Sequence, residues 1–214
     1  MKIPETFGLY SILTDPVKGY EYTAKLFVDY KIAFIQLRIK NKPLSVIRKI
    51  AENLRSITAG SASRLIINDY PDVAAATGAD GVHIGQCDMP YEKTRSIVGL
   101  NAVIGISTHS PDQTLRACRL KPDYIGIGPV YPTPTKEKPD RVIGIKGMEE
   151  MLALATVPAV VIGGIDMTNL RDVLNAGARN FCMVRQLMQA EDPEKVLKEV
   201  FKIYEEYFPG TNTQ

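Results

Sequence analysis

Short apolar runs rich in β-branched residues alternate along this chain with longer amphipathic stretches, and Gly, Asn, Asp or Pro stands at most of the joins. The first kind of run is typical of a buried strand and the second of a helix packed on a sheet, because side chains repeat every 2 residues in a strand and every 3.6 in a helix. The pattern therefore predicts repeated βα units. The eight predicted strands are Leu9–Leu13, Phe34–Arg38, Arg64–Asn68, Gly81–Ile84, Val103–Ser107, Tyr124–Ile127, Ala159–Ile162 and Asn180–Val184.

Amphipathic helices are predicted between these strands, several of them opened by a capping residue or by proline. Strands that alternate with helices form a parallel sheet, and eight such units in 214 residues favour a closed barrel over an open, doubly wound sheet. We therefore predict the α/β class and a single (β/α)8 TIM barrel over residues 1–214, with a flexible tail from about residue 209. The clearest predicted helices are Leu44–Thr58, Pro111–Arg119, Lys146–Ala155, Thr168–Asn175 and Pro193–Tyr207.

Composition and charge exclude several classes of protein. With 45% hydrophobic residues and a net charge of +2, the chain lacks the polarity of a disordered protein and the basic excess of a nucleic-acid binder. Its three cysteines form no C-x-x-C pair, so neither a disulfide framework nor a zinc site is expected. No apolar run approaches the roughly 20 residues that span a bilayer, and the first residues lack a signal-peptide core. We expect a globular cytoplasmic protein that acts on small molecules, without membrane or nucleic-acid partners.

The segment Gly126–Lys136 is a candidate anion-binding loop. A short apolar strand leads into a loop in which prolines restrict the backbone, and Thr133, Thr135 and Lys136 supply two hydroxyl groups and an ammonium. Such groups suit phosphate oxygens. The segment taken alone fits a stiff surface turn equally well, so other segments are needed to distinguish an anion-binding loop from a surface turn.

The second predicted strand carries polar residues at alternate positions. Gln36, Arg38 and Lys40 share one face, and Ile35 and Ile39 lie on the other. A strand of a parallel barrel has neither face in free solvent, so an unpaired row of cations there would carry a heavy desolvation penalty. An anion in the barrel mouth is the partner that we expect, although an alternating strand with one solvated face would show the same pattern.

Two neighbouring strands each end in a carboxylate. Asn68 and Asp69 follow the third strand, and Asp88 follows the fourth. Adjacent strands lie about 4.8 Å apart, so these carboxylates can approach one cation. Magnesium prefers such oxygen ligands together with substrate phosphates. Each aspartate could instead cap the helix that follows it.

Other strand ends offer weaker signals for phosphate. Ser107 and His109 precede a predicted helix that begins at Pro111, where hydroxyl and backbone N–H groups could bind an anion or cap the helix. Strand seven ends in the pair Gly163 and Gly164, and barrels of this type often place a phosphate on backbone amides at strands seven and eight.

Six motifs in the same order resemble those of the thiamine-phosphate synthase family: QLRIK (36–40), LIIND (65–69), GADGVHIGQCD (78–88), GISTH (105–109), GPVYPTPTK (128–136) and VIGGI (161–165). The resemblance implies a (β/α)8 barrel that joins 4-amino-2-methyl-5-(diphosphooxymethyl)pyrimidine to 4-methyl-5-(2-phosphooxyethyl)thiazole, with Mg²⁺ and release of diphosphate. It implies that the pyrimidine diphosphate contacts Gln36, Arg38, Lys40, Asn68, Ser107 and Lys136, that Asp69 and Asp88 hold Mg²⁺, and that the thiazole phosphate contacts Thr133, Thr135, Gly164, Val184 and Arg185. Among these, Arg38, Lys40, Lys136 and Ser107 would be catalytic.

Two positions depart from the family pattern. Ile39 stands where the family commonly has Glu, and Arg185 where it commonly has Ser. By alternation Ile39 faces the helices, so its change should matter little. Arg185 would either add a charged contact to the thiazole phosphate or displace a hydroxyl contact.

Two other functions compete with the synthase. A related barrel, the thiazole tautomerase, transfers protons and would use His109 as its acid–base group. A non-catalytic thiamine-phosphate sensor on the same barrel is the third hypothesis, because a fold does not determine activity. The synthase is favoured because Asp69, Asp88 and the loop ending at Lys136 would serve a magnesium diphosphate. The sequence leaves open whether the chain forms a homo-oligomer.

Overall fold

Eight parallel strands close into a barrel in which each strand pairs with its neighbour in the sequence and the last pairs with the first. The structure is a computed structural model that describes residues 3–133 and 140–210. The predicted (β/α)8 TIM barrel is confirmed. The strands are β1 (Gly8–Leu13), β2 (Phe34–Leu37), β3 (Arg64–Asn68), β4 (Gly81–Ile84), β5 (Val103–Thr108), β6 (Tyr124–Ile127), β7 (Ala159–Ile162) and β8 (Asn180–Cys182).

Helices surround the barrel, and three of them match the predicted bounds. The best defined of these begins where Asp192 accepts a hydrogen bond from the backbone N–H of Lys195 at 3.0 Å, with Pro193 in the first turn. The helices are α1 (Tyr20–Asp29), α2 (Leu44–Thr58), α3 (Pro71–Thr77), α4 (Tyr91–Val98), α5 (Pro111–Arg119), α6 (Gly144–Leu154), α7 (Leu170–Asn175), α8 (Arg185–Met188) and α9 (Pro193–Tyr207).

Four predicted strand bounds were wrong. β1 begins at Gly8, one residue earlier than predicted. β2 ends at Leu37, one residue early, because its pairing with β3 stops at Ile67. β8 ends at Cys182, two residues early, because Val184 already has helical dihedral angles and begins α8. β5 continues to Thr108, one residue further, because that residue still pairs with β6.

Two predicted helix bounds were also wrong. The helix α7 starts at Leu170, two residues later than predicted. Thr168 donates from both its backbone N–H and its hydroxyl to the Asp166 carboxylate, at 2.8 and 2.6 Å, and these bonds hold a turn before the helix. The helix α6 runs from Gly144 to Leu154, so it begins two residues earlier and ends one residue earlier than predicted.

Alternation along the strands produces two separate cores. One lies between barrel and helices, and the other fills the barrel interior, where bulky side chains from alternate positions meet. The interior set includes Tyr10, Phe34, Tyr124 and Val160, all of them buried. This interior layer forms a solid floor, so any ligand must bind above it, at the carboxyl ends of the strands.

A buried asparagine, Asn180, stabilises the junction of β1 and β8, here called the seam. Only two residue pairs join these strands. The Asn180 carboxamide accepts hydrogen bonds from Phe7 N at 2.6 Å and Gly8 N at 3.1 Å, and it donates to Glu5 O at 2.9 Å and Ala159 O at 3.1 Å. The side chain thus links β8 to β7 and to the segment that leads into β1. Across residues 3–133 and 140–210, no helix has the length and apolar character required to cross a bilayer.

Candidate active site

A cavity of about 600 Å³ opens at the carboxyl ends of the strands. This is the end of a (β/α)8 barrel where ligands bind. Most of the residues singled out in the sequence line it. Three charged residues, Lys40, Asp69 and Asp88, do not line it but follow the carboxyl ends of β2, β3 and β4. Lys136 and Thr135 lie outside the described residues. The lining includes Gln36, Arg38, Asn68, Ser107, Thr133, Gly164, Val184 and Arg185.

The structure confirms the two faces predicted for the second strand and its extension. Gln36 and Arg38 line the cavity, and the next residue on that face, Lys40, pairs with the carboxylate of Asp69. Ile39 is 6% exposed and belongs to the core beneath the helices. The chain therefore delivers an amide and two cations to the barrel mouth from one short segment.

Two carboxyl groups meet at the rim above β3 and β4. Asp69 and Asp88 lie close enough for their side chains to share a hydrogen bond, and burial together with the nearby Asp88 raises the pKa of Asp69 although Lys40 acts in the opposite direction. Asp88 also accepts a hydrogen bond from the backbone N–H of Gly85 at 2.6 Å. A second cation at this place would relieve the repulsion between the two carboxylates.

Neither aspartate serves as a helix cap. Tyr70 is the N-cap of α3 and Pro90 that of α4, and neither helix start has a side-chain capping bond. Asp69 instead adopts a left-handed backbone conformation with φ of 65°, and its N–H donates to the carbonyl of His83 at 2.9 Å. Such a backbone is unfavourable for most non-glycine residues and is often found where a side chain serves a site. The capping alternative is therefore excluded.

Five polar side chains join beneath the cavity into one connected array, here called the floor network. It consists of Gln36, Tyr10, Tyr124, His83 and Ser107, and all five also line the cavity. Successive members lie 2.8, 2.6, 2.9 and 2.8 Å apart between their hydrogen-bonding atoms. From the sequence, only the first and the last member are predicted to contact a ligand, and His83 is interpreted as an inner histidine with satisfied hydrogen bonds. Alternation along β1 and β6 was the available signal, because it turns both tyrosines inward.

The paired glycines after β7 allow a close crossing of two backbones. A Cβ atom on Gly164 would lie 2.5 Å from the carbonyl oxygen of Pro132, and one on Gly163 would lie 2.4 Å from the Cα atom of Pro129. Tyr131 N donates to the carbonyl of Gly163 at 2.9 Å, which holds the loop after β6 against the end of β7. The glycines therefore shape the cavity wall next to Thr133.

His109 is held between two partners at the cavity edge. Its Nδ1 lies 2.6 Å from the carbonyl oxygen of Gly128 and donates to it, and its Nε2 lies 3.4 Å from a carboxylate oxygen of Asp140. Both ring nitrogens are engaged, which is typical of a residue that anchors a loop. Among the residues that the structure describes, no three His, Cys, Asp or Glu side chains cluster as a metal-binding group.

Comparison with known proteins places these features in a family. Residues 13–187 match the family model described as thiamine monophosphate synthase. A thiamine-phosphate synthase of Pyrococcus furiosus is 40% identical over 206 residues, 96% of this chain and 99% of that protein. One of Caldicellulosiruptor bescii is 34% identical over 210 residues, 97% and 96% of the two chains. The solved structure of thiamine phosphate pyrophosphorylase from Pyrococcus furiosus superposes with a TM-score of 0.85 at 35% identity and covers 94% of this chain and 97% of that one.

Proposed function

We infer that this chain, which belongs to the thiamine monophosphate synthase family of transferases, condenses 4-amino-2-methyl-5-(diphosphooxymethyl)pyrimidine with 4-methyl-5-(2-phosphooxyethyl)thiazole to thiamine phosphate and diphosphate. The observation that supports these substrates is that Arg38 lines the cavity while Lys40 and Asp88 both contact Asp69 at the same end of the barrel. Cations and paired carboxylates at one rim suit a diphosphate that carries a divalent metal ion.

The paired carboxylates fit a magnesium site. Burial together with the nearby Asp88 raises the pKa of Asp69, so the bare site disfavours the second negative charge. Asp69 and Asp88 would hold Mg²⁺, and the ion when bound would neutralise charge on the diphosphate. The hard oxygen ligands agree with that metal.

The side chains at the rim act on the leaving group. As the bond between the pyrimidine methylene carbon and the diphosphate oxygen breaks, its electron pair stays with the diphosphate, and Arg38 and Lys40 are placed to stabilise the growing negative charge. By family resemblance, Lys136 adds a third cation. The thiazole nitrogen then supplies the electron pair of the new C–N bond. No side chain needs to act as a nucleophile.

The cavity wall protects the electron-poor carbon. Ile12, Val160 and Ile162, which belong to or pack against the interior core, also line the cavity and offer no nucleophilic atom. Exclusion of water matters here because water would capture the carbon in place of the thiazole nitrogen. We assign the thiazole phosphate to the side of the cavity formed by Thr133, Gly164, Val184 and Arg185, with Thr135 assigned by family resemblance alone.

A coupled assay for diphosphate tests the proposal. The chain should release diphosphate when both substrates and Mg²⁺ are present, and EDTA should abolish the release. Binding of thiamine phosphate without any release of diphosphate would identify a sensor. Metal-independent isomerisation of a thiazole substrate would identify a tautomerase, in which His109 would have to leave both of its present partners to move a proton.

A further inference from the structure

The floor network connects two groups that face the ligand from opposite sides of the barrel interior. Gln36 belongs to β2 and Ser107 to β5, and the three residues between them come from β1, β6 and β4. A hydroxyl or imidazole group can donate or accept, so the network could in principle have either of two directions. The direction determines what each end offers to a ligand.

The orientation of the Gln36 carboxamide determines the first half of the network. The Gln36 side-chain N–H donates to the Tyr10 oxygen at 2.8 Å. The Tyr10 hydroxyl has one proton of its own, and its other partner among the described residues is the Tyr124 oxygen at 2.6 Å, so Tyr10 donates to Tyr124. The carbonyl oxygen of Gln36 remains as the group that this end offers to a ligand.

The second half follows from the first. The contact between the two tyrosines already uses the Tyr10 proton, so the Tyr124 proton goes to Nδ1 of His83 at 2.9 Å. A neutral imidazole that accepts at Nδ1 carries its proton on Nε2, and that N–H donates to the Ser107 hydroxyl oxygen at 2.8 Å. The Ser107 hydroxyl thus accepts a hydrogen bond from His83, and it can donate its own proton to a ligand in the cavity.

The surroundings hold this arrangement in place. Tyr10 and Tyr124 are 2% and 1% exposed, and burial raises the pKa of both phenols, so both keep their protons. The Phe34 ring stacks on Tyr10 with 5.8 Å between centroids. At position 105 only glycine fits, because a Cβ atom there would lie 2.1 Å from Cζ of Tyr124. The chain thus leaves room for the Tyr124 ring at the one place where it must cross β5.

We propose that Tyr10, Tyr124 and His83 are positioning residues that make Gln36 an acceptor and Ser107 a donor, and that this pairing selects an amino-substituted nitrogen heterocycle over its oxo or hydroxy counterpart. An exocyclic amino group donates to the Gln36 oxygen, and an unprotonated ring nitrogen accepts from Ser107. An oxo analogue presents an acceptor where the amino group donated, so it opposes the Gln36 carbonyl. The choice of heterocycle rests on the proposed function, whereas the direction of the network does not.

The direction can be measured without turnover. The chain contains only two histidines, so nitrogen NMR of the imidazoles gives two sets of signals, and a His109→Gln variant assigns them. At a pH where the ring is neutral, His83 should be the Nε2–H tautomer in the parent. Tyr124→Phe should abolish that preference. Tyr204→Phe is the matched control, because Tyr204 is 2% exposed and its hydroxyl donates to the carbonyl of Arg179, away from the cavity. An Nδ1–H or doubly protonated His83 in the parent overturns the proposal.

The selectivity is measured as kcat/KM for the aminopyrimidine diphosphate divided by kcat/KM for its oxo analogue. We expect the parent to prefer the aminopyrimidine diphosphate over the analogue with an oxo group in place of the amino group. Tyr124→Phe and Tyr10→Phe should each reduce that ratio of kcat/KM about tenfold, the size expected for one misdirected hydrogen bond. Tyr204→Phe should leave the ratio unchanged. Thermal melts confirm that each variant is folded, and two tyrosine variants are used so that the loss of one by misfolding does not end the test.

The two proposals fail in different ways. No diphosphate release by the parent overturns the proposed function, and the network then stands or falls on the tautomer of His83. Release by the parent with an unchanged ratio in folded Tyr124→Phe and Tyr10→Phe overturns the positioning role, whatever the tautomer.

Discussion

Replacing Asp69 by Asn should make the protein more stable and nearly inactive. The carboxylate is 12% exposed, lies beside Asp88, and has a raised pKa, so its surroundings disfavour its charge even with Lys40 as a partner. Asparagine keeps the shape, removes the repulsion and tolerates the left-handed backbone at this position, where φ is 65°. We expect a gain of about 1 kcal/mol in the metal-free protein, of the kind found where an active site trades stability for function. For a chain of this size that gain corresponds to roughly 2–4 °C in Tm.

The gain should depend on pH in one direction. The folded state raises the pKa of Asp69 above its ordinary value of 3.8, so the folded parent binds this proton more tightly than the unfolded chain does and loses stability as the pH rises through the raised pKa. The variant has no such proton. The stability that Asp69→Asn gains over the parent should therefore be fully present above the raised pKa of Asp69 and absent below its ordinary value.

Thermal melts in EDTA and in Mg²⁺, repeated across pH, measure both effects. Mg²⁺ should raise the Tm of the parent and leave that of Asp69→Asn unchanged, because a ligand stabilises only the state that binds it. kcat should fall by at least about 10² in the variant. Asp112→Asn is the control, since its side chain is 76% exposed, and its stability should change by no more than about 0.5 kcal/mol. A lower Tm for Asp69→Asn in EDTA would refute the account of the paired carboxylates.

Three further outcomes are expected. Lys136→Ala should lower kcat by at least about 10² with an unchanged far-ultraviolet spectrum, and parental turnover would remove that residue from the mechanism. Gly105→Ala should lower the free energy of unfolding by about 1–3 kcal/mol, measured with denaturant, because the added methyl group overlaps the phenol ring of Tyr124. Gly126→Ala is the control and should cost less, because a Cβ atom there lies 3.5 Å from its nearest neighbour. Equal losses in the two variants would contradict the argument. Asn180→Ala should cost about 3 kcal/mol because it leaves buried backbone groups unpaired, against about 0.5 kcal/mol for Asn53→Ala at a partly exposed position. A small loss for Asn180→Ala would show that the seam does not need the side chain.

The fold and the cavity lining could be predicted because both follow from local periodicity. Alternation alone put Gln36 and Arg38 in the barrel mouth and Ile39 beneath the helices, as observed. The predicted ends of β2 and β8 were wrong because a strand stops where its pairing with a neighbouring strand stops. A local sequence pattern contains no information about that pairing. The helix α8 was not predicted because four residues carry no readable period.

Contacts across the barrel interior could not be predicted in the same way. The hydroxyl groups of Tyr10 and Tyr124 meet across 114 residues of sequence, and their meeting depends on the stagger of the closed sheet. The pairing of Lys40 with Asp69 likewise needs the relative height of two strand ends. The part that Lys40, Asp69, Asp88 and Lys136 play in catalysis stays a prediction, and the last of these lies outside the described residues.

The seam at Asn180 has a consequence for synthesis of the chain on the ribosome. The strands that lead into the charged residues, β2 to β4, are complete by residue 84, whereas Asn180, which links β8 to β7 and β1, emerges after more than four fifths of the polypeptide. Until then β1 lacks its β8 partner, and an unpaired strand edge is the kind that recruits other strands. Competence to bind substrate should therefore arise late and abruptly, when the final strand docks.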